Sequence, residues 1–258
     1  MDKLGLQIYT VRAFTGTPDG MREAFLNIRR AGYTSVQTAG QITDVESAKY
    51  YKECADNAEI SICGTHFDWK MMCTDLDEAM RIHDIIGTKN MGIGGMPSVA
   101  QSEDGLMEFV EKANGIAARL GEHGFKFTYH NHSFEFKKFN GKTMMDTLIE
   151  NFDQKNVSFV LDTYWVQHGG YDVRKMLERL RGRVDILHLK DMGACGENNA
   201  PYITEIGNGN INFEDIIPLA EDIGVTDFVV EQDNNFATGN AFDSIITSFN
   251  YLKENFMK

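Results

Sequence analysis

Short apolar runs alternate with amphipathic stretches of helical period from one end of the chain to the other, the pattern that parallel βα units leave in a sequence. Strands are predicted at 4–9, 35–38, 60–65, 90–93, 126–130, 158–161, 185–190 and 227–231. Helices are predicted between and after them, near 19–31, 44–58, 75–87, 103–123, 142–151, 172–180, 214–223 and 240–255. Gly32, Gly87, Gly124 and Gly224 punctuate four of the helix ends. Eight such units on a chain of 258 residues predict a (β/α)8 barrel, with 1–258 as one domain. An open doubly wound sheet is the alternative. It would carry a Gly-rich phosphate turn after its first strand, and the segment Thr10-Val-Arg-Ala-Phe-Thr-Gly-Thr-Pro18 has a single glycine.

The barrel reading makes polar residues at strand ends informative, because chemistry collects at the carboxyl ends of barrel strands above a packed interior. Gln7 and Tyr9 end the first predicted strand, Gln37 the second, and His66 follows the third. The fifth runs into Tyr129-His-Asn-His-Ser-Phe-Glu-Phe136, where His130, His132 and Glu135 alternate with aromatics. Asp162, His188 with Lys190, and Glu231 close the ring on strands six, seven and eight.

Composition narrows the partners. With 38 acidic against 25 basic residues the net charge is −13, which repels phosphate backbones and anionic lipid; neither nucleic acid nor membrane is an expected partner, and a small neutral substrate is. The 42% hydrophobic content is ample for a full core. No CxxC pair joins Cys54, Cys63, Cys73 and Cys195, which read as buried thiols of a reducing interior. The amino terminus has no signal pattern, and no apolar run approaches membrane-spanning length, so a cytoplasmic protein is expected.

Each candidate has an ordinary alternative. Asp162 opens Asp162-Thr-Tyr-Trp165 directly after an apolar strand, where a helix cap is common. His188 lies between Leu187 and Leu189, as a satisfied core histidine would. Lys190 has the solvated strand-end lysine as its alternative. Glu231 differs, because a carboxylate continuing Phe228-Val-Val230 into a core is too costly to leave unpaired. On strand five the ligand is one of His130, His132 and Glu135. A third carboxylate best suits a hard divalent ion, which favours Glu135 and leaves His132 as a base or as a supporting hydrogen-bond partner. Such a set suits one Mn²⁺, with Mg²⁺, Co²⁺ or Zn²⁺ as alternatives.

These residues resemble those of the xylose isomerase-like barrel superfamily, the group of sugar phosphate isomerases and epimerases. The resemblance is carried by Leu4-Gly-Leu-Gln-Ile-Tyr-Thr-Val-Arg12, the Tyr129–Phe136 segment, Asp162-Thr-Tyr-Trp-Val166, His188-Leu-Lys-Asp191, Glu205-Ile-Gly-Asn-Gly209 and Val230-Glu-Gln-Asp233. It is strongest to the branch with a Tyr-His-Asn-His signature, some members of which act on 3-keto sugars and 3-keto glycosides. The resemblance implies metal ligation by Glu135, Asp162, His188 and Glu231. Two positions depart from the ketose 3-epimerases of the family. Tyr129 stands where they carry the first glutamate ligand, and Trp165 stands where they carry a histidine; an indole stacks on a sugar ring instead.

The expected function is therefore a metal-dependent isomerase or epimerase acting on a keto sugar through an enediolate, with Glu231 and His132 as base and acid. Lys190 would bind a substrate oxygen or the enolate, and Gln7, Tyr9, Gln37, His66, His130 and Trp165 would line the sugar site, His130 having a structural role as its alternative. A leaving group beside the enolate would make the same site a lyase. An apurinic endonuclease shares the barrel but needs several zinc ions and attraction to DNA, which seven histidines and the acidic charge oppose. A sugar-binding protein without turnover would keep the aromatics and lose the base. No Arg cluster marks a phosphate site, so an unphosphorylated substrate is expected. Barrels of this sort often pair through their loops, so a homo-oligomer is an open alternative to a monomer.

Overall fold

The computed structural model describes residues 1–257. Eight parallel strands follow one another around a closed barrel: β1 (Gly5–Gln7), β2 (Ser35–Ala39), β3 (Ser61–His66), β4 (Asn90–Ile93), β5 (Lys126–His130), β6 (Val157–Asp162), β7 (Val184–Leu189) and β8 (Asp227–Val230). Closure is made by Gly5 and Leu6 pairing with Val229 and Val230. The eight predicted helices are present within a residue or two of their expected bounds, as Pro18–Arg30, Val45–Asn57, Leu76–Ile86, Glu103–Glu122, Met144–Asn151, Val173–Arg179, Phe213–Asp222 and Ala241–Phe256.

Local chemistry explains the boundaries. Asp44 and Thr143 start their helices with reciprocal capping boxes, and Asp75, Ser102, Asp172 and Asn212 each accept a first-turn N–H. Gly87 ends its helix at φ 78°, a left-handed turn that a side chain would strain. The first strand is shorter than predicted. Gln7 Oε1 accepts the Tyr9 N–H at 3.3 Å and winds Ile8–Phe14 into a 3-10 turn, so Tyr9 leaves the sheet for the rim. Two small hairpins that the periodicity did not predict decorate the loops after β5 (Lys138–Phe139 with Lys142–Thr143) and β7 (Asp191–Gly193 with Tyr202–Thr204).

Most of the core lies between barrel and helices, while Val160, Ile186 and Val229 form a separate plug with Cys63 packed against it. Cys54 is buried and Cys63 and Cys73 are half-buried; Cys195 is exposed, because it lies in the turn of the hairpin after β7 rather than in a packed layer. All four thiols are free. Among the described residues no helix is long and apolar enough to cross a membrane.

Candidate active site

Strand alternation carries the plug directly into a polar cluster: Asp162, His188 and Glu231 each lie two residues beyond Val160, Ile186 and Val229 on the same face of their strands. With His130, the last residue of β5, they offer two imidazoles and two carboxylates whose donor atoms lie within 4.8 Å of one another. His130 Nε2 is 3.5 Å from Asp162 Oδ2, and His188 Nδ1 is 3.8 Å from the same oxygen and 2.9 Å from Glu231 Oε2.

One ordinary alternative coexists with the site and another does not hold. Asp162 does cap the helix Thr163–His168, through Oδ1 and the Trp165 N–H at 2.9 Å, while Oδ2 faces the cluster. Lys190 is not solvated. It is 1% exposed, and its ammonium lies 2.9 Å from Glu231 Oε2 and 3.1 Å from both Asp162 Oδ2 and Asp233 Oδ2. Thr163 Oγ1 accepts the Lys190 N–H and fixes the end of β7.

Protonation follows from this arrangement. Burial alone would raise the Asp162 and Glu231 carboxyls, but the Lys190 ammonium and neighbouring imidazoles hold both well below the usual carboxylate range. Burial would lower Lys190, and its three carboxylate neighbours hold it well above an ordinary amine instead. His188 is likewise pulled down by burial and carried above its ordinary value by Glu231 and Asp162. For His132 burial, then the neighbouring His130, outweigh the pull of Asp162 and Glu231 and push it down to about 3.

A cavity of about 260 Å³ opens above the cluster, lined by Tyr9, His66, His130, His132, Lys190 and Glu231 together with Ala39, Gly94 and Asp233. Gln7 and Gln37 do not line it. They lie fully buried below, where Gln37 Oε1 accepts from Gln7 Nε2 at 2.8 Å and from the His188 Nε2–H, which turns Nδ1 of His188 toward the cluster. Trp165 stands beside the cavity, its ring 5.4 Å from that of His132 and 5.3 Å from Lys190 Nζ.

The arrangement differs from the expected ligand set on strand five. Glu135 is outside the cluster: fully buried, it accepts the Tyr129 hydroxyl at 2.7 Å and the His132 N–H at 2.9 Å. The chain turns at Ser133 into a 3-10 turn, Phe134–Phe136, and this carries Glu135 back toward Tyr129. His130 occupies the strand-five place in the cluster. Asp233 and Asn131 are site residues to which the sequence reading gave no role. Asn131 Oδ1 accepts the Asp162 N–H at 3.0 Å, a contact across strands that spacing along the chain does not reveal. Asp233 had a signal, being two residues beyond Glu231.

The donor set suits a divalent cation. His130 Nε2 is buried without a hydrogen-bond partner, and Asp162 Oδ2 meets Lys190 only as an ion pair without an aligned hydrogen bond. Buried lone pairs gathered this closely are the kind of groups a cation satisfies.

A closed parallel barrel with a cluster of imidazoles and carboxylates at the carboxyl ends of its strands defines the class, a (β/α)8 barrel of the enzyme type. A sequence model of the xylose isomerase-like TIM barrel family matches residues 25–254, and the chain belongs to that family. An inosose dehydratase of Clostridium perfringens is 23% identical over 167 residues, covering 59% of this chain and 56% of that protein. The match thus spans little more than half of the relative's length. A sugar phosphate isomerase/epimerase from Parabacteroides distasonis superposes with a TM-score of 0.79 at 25% identity, covering 98% of this chain and 93% of the other. A D-allulose 3-epimerase of Methylomonas sp. in complex with D-allulose shares the fold, with a TM-score of 0.70 at 14% identity over 99% and 97% of the two chains.

Proposed function

We propose that this protein is an enolising isomerase or epimerase of unphosphorylated keto sugars, working with a divalent ion held by His130, Asp162, His188 and Glu231. The observation that carries it is the convergence of those four residues within 4.8 Å beside the Lys190 ammonium, at the floor of a sugar-sized cavity. When bound, the ion supplies positive charge that polarises a substrate carbonyl and acidifies the neighbouring C–H. Two imidazoles with two carboxylates move the preference away from Mg²⁺ and toward Mn²⁺, Co²⁺ or Zn²⁺.

The chain's own groups divide the remaining work. Lys190, the protonated group of the cavity, donates to a substrate oxygen and steadies the negative charge that develops on it. Glu231 and His132 both stand in proton-accepting form at neutral pH, so the proton leaving carbon passes to one of them. In isomerisation that group returns it to the neighbouring carbon; in epimerisation the other group, having taken a proton from water, delivers one to the opposite face. Tyr9 and His66 offer hydrogen bonds to hydroxyls, and Trp165 a face for the ring. Among the described residues Lys190 is the only lysine or arginine that lines the cavity, and three carboxylates already meet its charge. A phosphate dianion would face Glu231 and Asp233 instead, which supports a neutral substrate.

Elimination is the second reading, favoured by the relatives named inosose dehydratase and by a pair of groups that both begin unprotonated. The base takes the proton next to the carbonyl; a C–O bond at the following carbon breaks as the C=C bond forms. The collected proton then leaves with the oxygen as water or an alcohol.

Ketoses, 3-keto sugars, 3-keto glycosides and inososes incubated with the protein and Mn²⁺ in deuterated water test both readings. Deuterium at one carbon of recovered substrate or isomer supports isomerisation, and an unsaturated product supports elimination. Glu231→Gln should fold and exchange nothing. No exchange and no product from the parent protein across the panel would overturn the proposal.

A further inference from the structure

Glu135 has no part in the chemistry above, yet it is a costly residue to place. Its carboxyl is fully buried, and burial pushes its pKa up to about 7 although the Tyr129 hydroxyl and backbone N–H groups pull the other way. A leucine would avoid that cost. What an apolar side chain cannot offer is two acceptors at once, and here both are used: Oε1 takes the Tyr129 Oη–H at 2.7 Å, Oε2 the backbone N–H of His132 at 2.9 Å.

The two ends of this link differ in firmness. Tyr129 is locked in the layer between barrel and helices, its ring centroid 5.9 Å from Phe109, 5.6 Å from Phe152 and 6.3 Å from Phe159. His132 lies beyond the last residue of β5, where the sheet's own ladder no longer holds the backbone. Its ring is confined on several sides: stacked on Phe134 at 5.5 Å and 12°, edge-on to His130 at 4.8 Å, and against Gly95. Gly95 has φ +149°, and a Cβ there would come within 3.2 Å of His132 Nδ1, so the ring's place is tightly set.

We infer that Glu135 is a positioning residue: by joining the Tyr129 hydroxyl to the His132 backbone, it fixes the His132 imidazole over the cavity. This rests on the reading of His132 as a proton-carrying group. Glu135 acts through His132 and does not ligate the ion.

The test uses Tyr129→Phe, Glu135→Leu and Glu135→Gln with the parent protein. Gln keeps an oxygen for the His132 N–H and can donate its amide to the tyrosine oxygen, so it is the conservative variant. In protein labelled with ¹⁵N at histidine, the His132 amide and ring resonances should move in the Phe and Leu variants and return in Gln. On a substrate that turns over, kcat should fall about ten-fold or more in Phe and Leu, with KM and Mn²⁺ affinity within about two-fold and Gln close to the parent. If Glu135→Leu does not fold, the nearly isosteric Tyr129→Phe carries the test alone. Unmoved His132 resonances in the folded variants overturn the inference, as does a loss of Mn²⁺ binding in Glu135→Gln as large as in Asp162→Asn. Resonances that move as described in a protein that enolises nothing would leave the positioning role standing and remove the proposed activity.

Discussion

Lys190 Nζ lies 2.9 Å from Glu231 Oε2, with the two side chains only 1% and 6% exposed. Burying either charge alone would cost several kcal/mol; together with Asp162 and Asp233 they form a group in which each charge has a partner. The consequence is a fixed ionisation pattern, with an ammonium and ionised Asp162 and Glu231 carboxylates held together at the mouth of the barrel.

Lys190→Met keeps much of the stem and removes the charge. Urea unfolding should then register a loss of about 3–5 kcal/mol, the cost of stripping one partner from a buried ionic group. Turnover should fall by about 10²-fold or more as a donor to developing charge is lost. Lys190→Arg should not restore it, because a planar fork cannot reproduce the contacts of a compact ammonium to three carboxylates at two strand ends. A Met variant as stable and as fast as the parent would remove Lys190 from both roles.

Metal content is the second quantity to measure. Protein purified without chelator should carry about one divalent ion per chain by elemental analysis. Asp162→Asn can keep the cap on the Trp165 N–H while changing the donor that faces the cluster, so folding should survive and the ion should be lost. Gln37→Leu, which frees the His188 Nε2–H, should weaken ion binding by about 10–100-fold, the usual effect of losing a ligand's hydrogen-bond partner. Full turnover in EDTA by ion-free protein would eliminate the metal from the mechanism.

Much of the barrel was legible because short apolar runs and amphipathic helices alternate without interruption, and three of the four cluster residues stand at the ends of such runs. Asp162, His188 and Glu231 owe their convergence to alternation and closure, both readable from spacing. Glu135 was not, because its position depends on how the chain turns after His130, and the 3-10 turn at Phe134–Phe136 reverses the simple extrapolation of a strand. Strand-end placement predicts Gln7 and Gln37 as residues lining the pocket. They lie one layer deeper, and depth along a barrel axis is set by strand stagger that no single segment encodes.

Trp165 provides a separate test of the sugar site. Its ring stands beside His132 and Lys190 without belonging to the cluster. Trp165→Ala should therefore raise KM by about ten-fold, the loss of one stacking face, and leave kcat within about three-fold. Steady-state kinetics on the best substrate of the panel decide this. A fall in kcat at constant KM would instead assign the indole to the reacting centre.

His83 connects stability to pH away from the site. Its Nδ1–H donates to Ala79 O at 2.7 Å, which leaves Nε2 to accept from the Thr65 hydroxyl at 2.8 Å, so the neutral ring is fully bonded. Burial lowers its pKa from 6.5 to about 4, with Ala79 O and the Asp84 charge only partly opposing. The unfolded chain therefore binds this proton first. The stabilisation from His83 is complete above pH 6.5 and is lost as pH falls toward 4, in total about 3 kcal/mol at roughly 1.4 kcal/mol per pH unit. His83→Leu should be less stable than the parent at pH 8, where the bonded neutral ring is worth most. Between pH 6.5 and 4 its urea-unfolding free energy should fall less steeply than the parent's, by about one proton's slope. Parallel pH profiles for the two proteins would show that His83 does not titrate differently in the folded and unfolded chains.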